Sequence, residues 1–138
     1  MKILLTVIMT WLSSSLDLPP APEQPAIKLV AQEEMVRMRY GAAAAAQGRE
    51  VVALYDDKTK TVLLSNGWTG GTPAEVSVLV HELVHHLQNM AQLKYDCPAA
   101  REALAYAAQE RWLKMFGQSL ESEFGVDPFT LKISTACM

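Results

Sequence analysis

The chain has 138 residues, half of them apolar and 20% charged, with a formal net charge of −3. That length buries one core and leaves no room for a second lobe, so a single domain over 1–138 is expected. The acidic balance and the lack of a Lys/Arg cluster argue against nucleic-acid binding, and with no Gly-rich phosphate loop and no internal repeat nothing suggests a nucleotide cofactor.

Lys2 followed by the apolar run Ile3 to Leu12 has the outline of a short secretory signal. Asp17-Leu18-Pro19-Pro20 is a poor cleavage region, however, and Thr6, Thr10, Ser13 and Asp17 recur at helical spacing, leaving Ile3, Leu4, Ile8, Trp11 and Leu12 elsewhere. The favoured reading is an amphipathic helix over 1–18 that stays on the domain. A cleaved signal, with a periplasmic or secreted protein, is the alternative to a cytoplasmic one. The run is too short to span a bilayer. Residues 19–26 read as a Pro-rich extended connector.

Ile27 to Val30 reads as a short strand and Glu33 to Tyr40 as a helix. Gly41 to Gly48, with its alanine run between glycines, reads as a flexible, weakly packed segment. Val51–Tyr55 and Thr61–Leu64 are β-rich runs around the polar turn Asp56–Lys60, which predicts a hairpin. Ser65-Asn66-Gly67 ends the second strand, and a loop through Trp68 leads to Thr72.

Thr72-Pro73-Ala74-Glu75 is a helix start, with Thr72 as N-cap, Pro73 in the first turn and Glu75 closing a capping box. Val76, Leu79, Val80, Leu83, Val84, Leu87 and Met90 then give one broad apolar face. On another stripe stand His81, His85 and Gln88. In His81-Glu82-Leu83-Val84-His85 the imidazoles are one turn apart and can reach one zinc ion, and Glu82 projects beside it as a general base. All three histidines of the chain, His81, His85 and His86, belong to this stretch. A catalytic zinc needs a third protein ligand and an open position. Gln88 and Ala91 stand where a third-histidine pattern would need Gly and His, so the third ligand is Asp, Glu or Cys.

A second helix opens around Asp96-Cys97-Pro98 and closes at Gly117, with Leu104, Ala105, Ala108, Trp112, Leu113 and Phe116 as its apolar face. A short connection makes the two helices antiparallel. His85 then lies about 9 Å below the end of the first and Glu102 about 6 Å into the second. That favours Glu102 over Glu110, Asp96 and Cys97 as third ligand. Cys97 and Cys137 read as free thiols, with a disulfide in an exported protein as the alternative. From Asp127-Pro128-Phe129 onward, Leu131 and Ile133 alternate as in a short strand or extended tail.

His81-Glu82-x-x-His85 with Glu102 in a Glu-x-x-Ala-Tyr setting resembles the gluzincin branch of the zincin metallopeptidases. The chain also resembles a family of small uncharacterised bacterial proteins in Leu54-Tyr55-Asp56, Gly67-Trp68-Thr69-Gly70, Leu79 to Gln88, Tyr95-x-Cys97 and Gln109-x-x-Trp112-Leu113. The resemblance implies an α+β, minimal zincin-like domain: a small antiparallel or mixed sheet packed on the His-Glu-x-x-His helix and an antiparallel Glu-ligand helix. It implies peptide or protein substrates, with one hairpin strand as the edge that pairs with extended substrate. Larger gluzincins often carry an Asp four residues after the ligand Glu, hydrogen-bonded to a ligand imidazole. Here that residue is Tyr106, which either serves through its hydroxyl or leaves the contact out. The expected chemistry is hydrolysis with Glu82 as base and His86, Tyr95 or Tyr106 as donor to the developing oxyanion. The alternatives are a zinc-binding regulatory or interaction domain with little turnover, and another zinc hydrolase with Cys97 as third ligand.

Overall fold

The computed structural model describes residues 1–41 and 51–138. The alanine run and the flexibility expected of it lie outside the described residues, apart from Gly41. The elements in order are α1 (Lys2–Leu16), β1 (Ala26–Val30), α2 (Gln32–Tyr40), β2 (Ala53–Asp56), β3 (Thr61–Ser65), α3 (Pro73–Met90), α4 (Pro98–Lys114), α5 (Leu120–Phe124) and α6 (Pro128–Ser134). This is a small α+β domain. Its three-stranded sheet is mixed, in the order β1-β3-β2, with β1 parallel and β2 antiparallel to β3.

Side chains on a strand alternate between faces, and β3 uses both. Val62 and Leu64 join the main core, whereas Leu63 faces Met35 and Val36 of α2. The sheet is therefore covered by α2 on one face and α3 on the other. On β2 the same alternation turns Ala53 and Tyr55 towards the main core and Leu54 towards α2.

α3 is the centre of the molecule. Leu79, Val80, Leu83, Val84 and Leu87 are all fully buried, each contributing roughly 1.5–3 kcal/mol of burial. That burial offsets the helix propensity lost at its β-branched valines. α1 lays Leu5, Ile8 and Leu12 into the same core, Trp11 meets Trp112 of α4 edge-on, and Arg111 of α4 donates to the Ser15 carbonyl. Leu5, Ile8 and Leu12 of the apolar N-terminal run are thus part of the packed core, whereas Ile3, expected among its apolar residues, is exposed, as is Val7. No helix among the described residues is long and apolar enough to cross a membrane.

Four other expectations change. Thr72 caps α3 by accepting from the Glu75 amide, but Glu75 does not reach back to it. Its carboxylate instead accepts from the Thr69 amide and hydroxyl and the Gly70 amide, closing the loop in front of the helix. Gly70 has φ +73°, and a Cβ there would stand 2.8 Å from the Trp68 ring, so glycine is required beside that indole. Phe116 lies beyond α4 and is half exposed, so it is not part of the core face. The tail is the helix α6, capped by Asp127 with Pro128 in its first turn. Finally, Cys97 and Cys137 are not free thiols. α5 and α6 turn the chain back towards the start of α4, their Cα atoms come within 5.8 Å, and they form a disulfide.

Candidate metal centre

α3 and α4 run antiparallel in contact: Ser77 and His81 meet Gln109, His85 meets Glu102, and Gln88 meets Arg101. Ala105 and Ala108 are the fully buried residues between Glu102 and Gln109. Their small side chains let the helices approach closely, and that approach brings the polar residues into reach.

His81, His85 and Glu102 form the cluster. His85 Nε2 lies 2.5 Å and His81 Nε2 3.6 Å from Glu102 Oε2, and the three ligand atoms lie within 4.8 Å of one another. The ring tautomers follow from the amides behind them. Gln88 Nε2 donates to the Arg101 carbonyl and the Tyr95 hydroxyl, so its Oε1, 2.8 Å from His85 Nδ1, must accept. Ser77 Oγ donates to the Ala74 carbonyl and accepts from Gln109 Nε2, so Gln109 Oε1, 3.0 Å from His81 Nδ1, is also an acceptor. Both imidazoles therefore carry hydrogen on Nδ1, and their Nε2 lone pairs face the Glu102 oxygen. With both Nε2 atoms unprotonated, three acceptors converge in a buried place, and a proton taken up by an imidazole or a metal ion between them relieves their repulsion. The cluster can hold a metal ion.

A positive charge here has the same effect on Glu102 whether a proton or a metal ion carries it. Burial alone would raise the Glu102 pKa, but His81 and His85, when protonated and donating from Nε2, hold the carboxyl far below the usual range, so it is ionised. Burial acts to lower His81, and the carboxylates of Glu102 and Glu82 reverse this, so its net direction is upward. Glu82 is buried beside the cluster without belonging to it. Burial raises its pKa, with His81 and His85 pulling the other way, and it makes no hydrogen bond to the protein among the described residues. A carboxylate with raised proton affinity and no protein partner is suited to proton transfer.

Above the cluster is a cavity of about 400 Å³, lined by His81, Glu82, His85, Glu102 and Tyr106 and walled by Ala53, Leu54 and Tyr55 of β2 and by Arg39 and Arg101. Tyr106 packs its ring edge-on against His81 at 4.6 Å between centroids. Burial and the nearby carboxylates raise its pKa, so the phenol keeps its proton. Gln109 takes the imidazole contact that Tyr106 was a candidate for. It was missed, although it stands seven residues after Glu102 and so on the same face of α4.

Two of the residues read as oxyanion donors are elsewhere. His86 is fully buried, and its ring is committed at both nitrogens: Nε2 donates to the Glu23 carbonyl, and Nδ1 accepts from the Tyr55 hydroxyl. Being next to His85 on α3 turns it about 100° away from the cluster, where it ties the connector and β2 to the helix. Tyr95 lies outside the cavity, and its hydroxyl accepts from Gln88 Nε2. Cys97, in its disulfide, offers no thiolate, and Glu110 accepts from the Leu120 amide.

The family model described as a domain of unknown function (DUF6647) matches residues 1–138. The chain belongs to the DUF6647 family. No curated protein and no solved structure matches it. In this DUF6647 chain the cluster and the cavity above it are the features that bear on function.

Proposed function

We propose that the protein is a zinc-dependent metallopeptidase of the zincin type, with His81, His85 and Glu102 as ligands, Glu82 as general base, and peptides or proteins as substrates. The observation that carries this reading is the convergence of two imidazole lone pairs and a carboxylate oxygen with a buried, unpartnered Glu82 beside them. Two nitrogens and one oxygen suit zinc. Ligand-atom separations from 2.5 Å to within 4.8 Å bracket the roughly 3.4 Å spacing of tetrahedral ligands held about 2.1 Å from the ion.

Bound there, zinc would supply Lewis acidity, drawing the pKa of water towards roughly 7 and polarising a carbonyl. The remaining work falls to the chain. A Glu82 carboxylate oxygen takes the proton of the attacking water and returns it to the leaving amine nitrogen, and its raised proton affinity suits both transfers. The Tyr106 hydroxyl, still protonated, donates to the oxyanion. Gln88 and Gln109 keep the imidazoles in the ligating tautomer. β2 is an edge strand that borders the cavity, so it, and not the central β3, is the candidate to pair with extended substrate.

The test is Glu82→Gln. It should keep the fold and close to one zinc per chain, while peptide-library cleavage read by mass spectrometry falls about 10²–10⁴-fold. Cleavage by wild type that survives in the variant would refute Glu82 as base. Zinc binding with no cleavage by wild type would favour a regulatory or interaction domain.

A further inference from the structure

The cavity has a charge asymmetry that the chemistry above does not use. Its carboxylates are Glu82 of α3 and Glu102 of α4, while Arg39 at the end of α2 and Arg101 of α4 stand in its walls. Arg101 is partly committed, with Nη2 2.9 Å from Asp57 Oδ1 and 3.4 Å from the His85 carbonyl. Arg39 is different. On the same helix Arg37 pairs with Glu34 at 2.9 Å, but Arg39 makes no ion pair among the described residues and lies 5.5 Å from the Tyr40 ring centre. It lines the same cavity as His81, Glu82, His85 and Glu102.

A dication on the cluster would balance the two carboxylates and, with Arg101 paired to Asp57, leave the Arg39 guanidinium in excess, in a chain whose net charge is −3. A guanidinium offers a planar fork that fits a carboxylate in a bidentate way, where a point charge would not discriminate. We propose that Arg39 reads a carboxylate on the substrate close to the scissile amide, so that peptides presenting a side-chain or terminal carboxylate there are the preferred class. This rests on the metallopeptidase reading above.

The probes are succinic monohydroxamate and butyrohydroxamate, which share a metal-binding group and differ by one carboxylate. With the zinc-loaded protein, calorimetry should show the carboxylated compound binding about 5-fold or more tightly. The preference should shrink as salt rises. Arg39→Gln should abolish it while leaving butyrohydroxamate affinity and zinc content unchanged. Equal affinities in the wild type, or equal losses of both compounds in the variant, would overturn this inference alone. Failure of both hydroxamates to bind the zinc-loaded protein would overturn the metallopeptidase reading and this inference with it. A second arm compares amidated peptides carrying Asp or Glu with neutral peptides ending in a free carboxylate. Preferential cleavage of the first assigns Arg39 to a side chain, and of the second to the chain terminus. Cleavage of both no better than of neutral amidated peptides would overturn the proposal.

Discussion

Gln109→Leu removes the acceptor behind His81 while keeping an apolar side chain of similar reach. The His81 Nδ1–H loses its 3.0 Å partner in a buried place, and Ser77 loses a donor but keeps its bond to the Ala74 carbonyl. An orphaned buried donor costs about 1–3 kcal/mol, and the imidazole can avoid that cost by switching tautomer, which takes the lone pair away from the cluster. Loss of such a supporting contact typically weakens metal affinity about 10–100-fold. Competition with a fluorescent zinc chelator measures this directly, with thermal unfolding as a check on the fold. Gln109→Glu keeps an acceptor towards Nδ1 and should hold zinc far better than Gln109→Leu. If Gln109→Leu binds zinc as the wild type does while folded, the tautomer argument fails.

Three further predictions concern the frame around the site. Leu12→Ala should destabilise the protein by about 2–5 kcal/mol in denaturant titration, because Leu12 is fully buried against the core; an unchanged midpoint would mean that α1 does not pack there. Glu75 has its pKa lowered chiefly by the Thr69 amide. The stability it adds over Glu75→Gln should therefore be full above about pH 4.3 and vanish as pH falls through the lower folded value, and an advantage that grows on acidification would contradict this. Closing a loop of separation 40 is worth at most about 4 kcal/mol. α6 buries no residue, so reduction frees the tail in the folded state too and the measured loss should be smaller. Limited proteolysis after reduction should cut within 126–138 first.

The legible parts of this fold were those encoded locally. Thr72-Pro73 and the three- and four-residue apolar steps mark α3, and the ligand spacing is inherent in the helix. Glu102 followed from helix rise and a short connection, which made its height calculable. The supporting amides were harder, because Gln109 and His81 are 28 residues apart and their meeting depends on how closely Ala105 and Ala108 let α4 approach. His86 misled because sequence adjacency to His85 puts it on another face. The tail erred differently: Leu131 and Ile133 suggested alternation, yet Asp127-Pro128 is a helix start of the kind recognised at Thr72-Pro73. Ser119, which caps α5 reciprocally with Ser122, was a similar signal left unread. The parallel pairing of β1 with β3 depends on a crossover through α2 and β2 that no local pattern specifies.

The close contact of α3 and α4 has one more consequence. Because the cluster takes two groups from one helix and one from the other, an ion seated there is a cross-link, and whatever separates the helices dissolves it. Folding and metal occupancy are then one linked equilibrium. At free ion a thousand times above the dissociation constant, occupancy adds about 4 kcal/mol to the folded state. The melting temperature should therefore track the metal concentration, and a larger side chain at Ala105 would be felt first as weaker metal binding and only then as a changed fold.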